Sequence, residues 1–121
     1  MNKIIANDKE HLGLLIDQEI EKNGPNCDLN HIDVSKVTNM SGMFYKSRFD
    51  GDISEWDVSN VTDMFNMFYD SQFNQDISNW DVSNVTDMSY MFWNSKFNQD
   101  ISNWNISIVY GRYVMFNSMV F

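Results

Sequence analysis

The segment Ile53 to Asp76 returns nearly unchanged from Ile77 to Asp100, so any fold this chain adopts has to place the same 24 residues twice in equivalent surroundings. Extending the register in both directions aligns Leu29/Ile53/Ile77/Ile101, Ile32/Trp56/Trp80/Trp104, Val34/Val58/Val82/Ile106 and Val37/Val61/Val85/Val109. The later part of each copy aligns as well, with Met40/Met64/Met88, Met43/Met67/Met91/Met115, Phe44/Phe68/Phe92/Phe116 and Phe49/Phe73/Phe97/Phe121. The chain therefore reads as three full copies and a truncated fourth: 29–52, 53–76, 77–100 and 101–121. A fixed period of this length points to a succession of supersecondary units rather than one closed globule.

Within a copy the apolar spacing is IxxWxVxxV, which matches the leucine-rich skeleton LxxLxLxxN except that Val61 and its equivalents stand where Asn or Cys is usual. The spacing predicts a strand at Trp-Asp-Val, with Trp56 and Val58 buried, Glu55, Asp57 and Ser59 outward, and strands of successive copies paired in parallel. Met64, Met67 and Phe68 then fall on one face of a short helix, with Thr62 as its N-cap and Asp63 in its first turn. PheAsnGlnAsp, or PheAspGlyAsp in the first copy, turns the chain back.

The pattern WDVSNVTDMxxMFxxxxFNQDIS resembles the BspA-like leucine-rich repeat of bacterial surface proteins, from about Cys27 to Phe121. The resemblance implies an α/β solenoid, a right-handed leucine-rich-repeat-like stack of strand–short helix coils with parallel strands and an N-terminal capping helix. It implies a binding scaffold used in adhesion or recognition, and it carries over no catalytic residue.

Residues 1–28 read as an N-terminal cap and 29–121 as the repeat region. LysIleIleAla near the start suits a short strand. Asp8 then precedes a helix whose Leu12, Leu15, Ile16 and Ile20 share a face, and Asn23-Gly24-Pro25 ends it. In the fourth copy Asn105, Ile108, Tyr110 and Arg112 replace the Asp, Asn, Thr and Met of the earlier ones. That copy is either a C-terminal cap packed through its apolar run from Val114 to Phe121, or an end that a partner or a second chain covers.

Little in the sequence suggests chemistry. His11 and His31 lie in separate segments, and Cys27, Asp28, His31 and Asp33 match no zinc spacing. Phosphate-loop, nucleophile-elbow and HExxH patterns are lacking, so the expectation is a non-enzyme without cofactor or metal. A lone cysteine, no apolar leader and no run near the length of a membrane span lead to the expectation of a cytoplasmic protein with no membrane contact.

Acid recurs instead. Asp33, Asp57 and Asp81 share an outward position, followed two residues on by Ser35, Ser59, Ser83 and Ser107, with Asn105 ending the Asp column and Glu55 beside it. Stacked at about 5 Å, neighbouring carboxylates would repel by about 1 kcal/mol in water and about 3 at an effective dielectric of 20. Either adjacent hydroxyl and backbone groups satisfy them, or the column docks a basic partner or a cation. Seventeen acids against eight Lys and Arg give a net charge of −9, a field that repels nucleic acid and speeds association with basic proteins. The expected function is protein binding through Asp33, Glu55, Asp57, Ser59, Asp81, Ser83 and Asn105. Its most specific form is an inhibitor or nucleic-acid-mimicking decoy of a nucleic-acid-handling enzyme, of the anti-defence type, for example against a CRISPR-type nuclease. The alternative is a surface-recognition or adhesion module of a bacterial surface protein. Direct nucleic-acid binding is not expected.

Overall fold

The computed structural model describes residues 3–116. Two residues, Ile4–Ile5, form β1, and a 15-residue helix α1 follows at Lys9–Asn23. Asp8 caps α1 from an extended conformation, its Oδ1 accepting from the His11 N–H at 2.8 Å. Gly24, at φ 87°, ends the helix and donates its N–H to the Ile20 carbonyl at 2.8 Å, a conformation that favours glycine. Leu12 and Ile16 are buried, which fixes the helix to the rest of the chain. β1 runs parallel to β2, Ile32–Asp33, with Ile4 opposite Ile32 and Ile5 opposite Asp33. A 3-10 turn at Arg112–Val114 completes the regular elements.

The expected α/β solenoid of leucine-rich-repeat-like strand–helix coils is corrected by these elements: one helix, two short parallel strands and one 3-10 turn among the described residues. Trp56-Asp57-Val58 is not a strand. The Trp56 N–H turns back to the Ile53 carbonyl at 3.2 Å and the Val61 N–H to Val58 at 2.9 Å, so both ends of the segment close tight turns and its backbone pairs with no neighbouring strand. The Met64–Tyr69 segment is not a helix either, for two reasons. Asn66 and Asp70 sit at φ 45° and 52°, left-handed conformations through which a right-handed helix cannot run. The N–H groups of Met64, Asn66, Phe68 and Asp70 bond to the carbonyls of Asp87, Ser89, Met91 and Trp93, at 3.0, 2.9, 2.8 and 2.8 Å, leaving none for a carbonyl four residues back. Thr62 does not cap a helix; its N–H and Oγ1 both go to the Thr38 carbonyl, at 2.8 and 3.3 Å. From one copy to the next, parallel pairing among the described residues takes the form of single bridges, Asn39 with Asp63, Asp63 with Asp87 and Asp87 with Tyr110, at the place where the spacing predicted a helix start.

What bends the chain is side-chain chemistry. Asp52, Asp57 and Asp63 each accept, through Oδ1, the N–H two residues ahead, at 2.9, 3.0 and 2.8 Å, and Ser71 Oγ accepts from Phe73 N–H at 3.1 Å. Such Asx and Ser turns replace the backbone ladder as the local organiser. The next copy repeats them at Asp76, Asp81, Asp87 and Ser95.

Equivalent apolar residues meet across one period. Trp56 and Trp80 lie 6.4 Å apart centre to centre, as do Trp80 and Trp104, while Phe44–Phe68 and Phe68–Phe92 stack at 5.4 and 5.5 Å. Each indole N–H donates to a carbonyl 27 residues earlier: Trp56 to Leu29, Trp80 to Ile53, Trp104 to Ile77. The Met, Phe, Trp and Val positions of the period fill the core, and no described buried side-chain polar atom lacks a partner. Gly51 stands where the later copies have Gln75 and Gln99 because the Cys27 carbonyl lies 1.9 Å from where a Cβ would be. Phe121 and the rest of the apolar run beyond Phe116 lie outside the described residues.

Candidate interaction surfaces

The acidic positions singled out from the sequence come together as turn-capping rows. Asp33, Asp57 and Asp81 accept the N–H of Ser35, Ser59 and Ser83 at 2.9, 3.0 and 3.0 Å, and Ser59 Oγ adds a second bond to Asp57 at 2.6 Å. These bonds, from the serine hydroxyl first and its N–H second, hold all three carboxyls below their usual range. For Asp57 the charges of Asp33 and Asp81 push the other way and are outweighed. Asn105 continues the row more weakly, with Ser107 N–H at 3.5 Å and Ser107 Oγ at 3.1 Å. A second row, Asp28, Asp52, Asp76 and Asp100, uses the same geometry toward Asn30, Ser54, Ser78 and Ser102. Glu55 is exposed, and its N–H bonds to Asn30 Oδ1 at 2.9 Å. Serine hydrogen bonds thus account for the shape of both rows, while Asp57, Asp81 and the Asp52, Asp76 and Asp100 carboxylates remain exposed.

The histidines and the cysteine do not converge. His31 Nε2 meets Glu19 of α1 at 2.6 Å, whereas His11 Nδ1 accepts from the Asn7 N–H at 3.0 Å. Burial, and then the Glu19 charge, pushes the Cys27 thiol up, away from a reactive thiolate. Among the described residues no group of three or more His, Cys, Asp and Glu side chains is arranged to hold a metal. No helix there is long and apolar enough to cross a membrane.

A second surface escaped the sequence reading. The two near-identical copies differ at only six positions, Glu55/Asn79, Phe65/Ser89, Asn66/Tyr90, Tyr69/Trp93, Asp70/Asn94 and Gln72/Lys96, and five of these pairs lie in the turns at 65–72 and 89–96. That side carries exposed rings: Tyr45, Phe65 and Tyr90 are 45%, 38% and 40% exposed. Tyr45 and Tyr69 stack at 5.2 Å, Phe65 meets Tyr90 edge-on at 6.2 Å, and Tyr90 meets Trp93 edge-on at 5.2 Å. Tyr90 holds φ 58°, where the equivalent positions are Gly42 and Asn66. A bulky residue in that region costs on the order of 1 kcal/mol, and such strain collects at functional sites. Of the four cations from residue 37 onward, Lys46, Arg48 and Lys96 stand at the positions of these turns. The signal available in the sequence was the substitution pattern between copies, which singles out positions the core does not dictate.

A family model described as "Mycoplasma protein of unknown function, DUF285" matches residues 17–120. That match corrects the BspA-like leucine-rich-repeat assignment, for the family found is a different one. No curated protein and no solved structure matches the chain.

Proposed function

The chain belongs to the DUF285 family, and from that premise we propose that it is a non-catalytic protein-binding module whose acidic face engages a basic partner in the cytoplasm. The observation that carries this reading is the pair of aspartate rows. Their bends are fixed by hydrogen bonds from Ser54, Ser59, Ser78 and Ser83, and those bonds favour the ionised carboxylates. Negative charge is therefore presented at fixed positions without an ordering cost on binding. The net charge of −9 steers basic proteins and repels nucleic acid and anionic membrane. In its most specific form the module occupies the basic groove of a nucleic-acid-handling protein as a decoy. The adhesion alternative rested on the leucine-rich-repeat resemblance and has no observation of its own.

A pull-down from the source cell with the full chain, beside an Asp57→Asn/Asp81→Asn variant, tests it. Basic proteins should be recovered, less of them by the variant, with capture falling as salt rises. DNA or RNA should displace those whose groove is shared. Capture without basic bias and without salt dependence would sink the reading.

A further inference from the structure

We propose that the fourth copy is a self-association surface, where two chains meet about a two-fold axis with Ile108, Tyr110, Tyr113 and Phe116 of each against those of the other. The inference stands apart from the acidic face and its partner.

The phenylalanine column gives the first observation. Phe44, Phe68, Phe92 and Phe116 stack in succession at 5.4, 5.5 and 5.1 Å. Phe44, Phe68 and Phe92 are buried, whereas Phe116 has Phe92 on one side, no other ring against it among the described residues, and is 38% exposed. The second observation is a change of residue type at positions the inner copies keep polar. Ile108 stands where they have Asn60 and Asn84, and Tyr110 where they have Thr62 and Thr86, yet these two side chains are 93% and 75% exposed. With Tyr113 and Phe116 they place four exposed apolar side chains within residues 108–116. A cluster of this kind marks a contact, where single exposed apolar residues do not.

Charge gives the third. All seventeen acidic residues precede Ile101, and the fourth copy holds Arg112 as its one charged side chain. The aspartate row stops at Asn105, and the place of Asp63 and Asp87 in the bridges passes to Tyr110. Arg112 is itself engaged within the chain. Its guanidinium lies 4.3 Å from the Tyr113 ring centre, donating to the Tyr113 hydroxyl at 2.9 Å and to the Val109 carbonyl at 3.5 Å. The contact surface is therefore without carboxylates, and its one cation helps to hold a ring in place before any partner arrives.

These features select a second copy as the occupant. A basic protein is drawn to the aspartate rows and finds no acid here. Two chains of net charge −9 repel each other wherever their acidic rows approach, and a contact through the fourth copies keeps carboxylates out of the interface. A two-fold axis also sets like against like, so the open side of Phe116 meets a ring of the same shape in the same surroundings.

Sedimentation velocity of the full chain from roughly 5 to 500 µM, the range in which a small apolar interface dissociates, provides the test. The mass should rise with concentration to twice that of one chain, and added salt should strengthen the association by screening the net repulsion. Ile108→Asn/Tyr110→Thr installs only residues of the inner copies, Asn84 and Thr86, and leaves the Tyr110 main-chain bonds in place; Tyr113→Ser does the same with Ser89. With folding checked by circular dichroism, each variant should dimerise about tenfold or more weakly. Asp57→Asn/Asp81→Asn should dimerise at least as well as the parent. A chain that stays monomeric throughout, or variants that fold and dimerise as the parent does, would overturn the proposal. Association that dissolves with salt would place the contact on charged surfaces, and growth past the dimer would replace the two-fold contact by a head-to-tail one; either result also overturns it. Phosphatidylcholine vesicles that carry down a monomeric parent but not the variants would assign the surface to lipid instead.

Discussion

The second and third copies and the fourth, shorter one begin from the same pattern and part company after Trp104. In the inner copies Asn60 and Asn84 donate through Nδ2 to the carbonyls of Ser35 and Ser59, at 2.8 and 2.6 Å. Ile108 occupies that place in the fourth, cannot make the bond, and is 93% exposed. The main chain tolerates more: Tyr110 replaces threonine yet still donates its N–H to Thr86 at 3.0 Å, and its carbonyl accepts from Met88 at 3.0 Å. In the inner copies two residues share those tasks, the Thr86 N–H bonding to Thr62 and the Asp87 carbonyl accepting from Met64. Merging them in Tyr110 puts the next residues out of step with the inner copies, and the chain recovers register through Gly111 and the 3-10 turn. Gly111 sits at φ 82°, where a Cβ would fall 2.6 Å from Ser89 Cα. Backbone bonds between copies thus persist when a rung changes identity, while side-chain-to-backbone bonds vanish with the residue that makes them.

The largest effect expected from this contrast is at the tryptophans. Trp80 has an indole neighbour on each side, Trp56 and Trp104, whereas among the described residues Trp104 has only Trp80. Trp80→Ala should cost roughly 3–5 kcal/mol in urea unfolding, the range for large aromatics in cores, and Trp104→Ala distinctly less. Equal losses would mean that the fourth copy is packed as firmly as the inner ones. A smaller effect of opposite sign is expected at Tyr90. Tyr90→Asn should raise stability by about 1 kcal/mol, since asparagine accepts the left-handed backbone more readily; a lower melting temperature would show that ring contacts with Phe65 and Trp93 outweigh the strain. The smallest effect concerns acid. Asp52, Asp57, Asp76, Asp81 and Asp100 have folded-state pKa values depressed by serine hydrogen bonds. Their contribution is present above the unfolded carboxylate value of about 3.9 and is lost as pH falls through the depressed folded values. Stability measured from neutral pH downward should therefore decline below about pH 4, less steeply in the Asp57→Asn/Asp81→Asn variant. Identical acid profiles would show that the turns hold without their charge.

Much of this architecture could be read from residue order. The period, the inward Trp56 and Val58 beside the outward Asp57, and the ends of α1 at Asp8 and Gly24 all follow from local chemistry. What misled was treating MetPheAsnMetPheTyr as a helix because Met64, Met67 and Phe68 share a helical face. The same three side chains are buried when the chain turns through left-handed Asn66 and Asp70 and its N–H groups reach the next copy. Apolar periodicity reports which side chains are buried and says nothing about where the amide hydrogens go. The Asp-x-Ser triplets carried the better clue, since an aspartate two residues before a serine forms an Asx turn regardless of what it might also bind. The aromatic turn side stayed hidden because attention to what recurs passes over the positions that differ.

The indole bonds from Trp56, Trp80 and Trp104 to carbonyls 27 residues earlier have a consequence for how the chain can change length. Loop-closure entropy depends on the number of residues between the joined points, and here that number is the same for Trp56, Trp80 and Trp104. Duplicating one whole 24-residue segment would add closures of the same cost, whereas inserting or deleting a few residues between Ile53 and Trp80 would pull an indole away from its carbonyl. Length variation in such a gene should therefore proceed by whole segments, and a frame-preserving deletion of three codons inside a copy should be far more harmful than loss of all twenty-four.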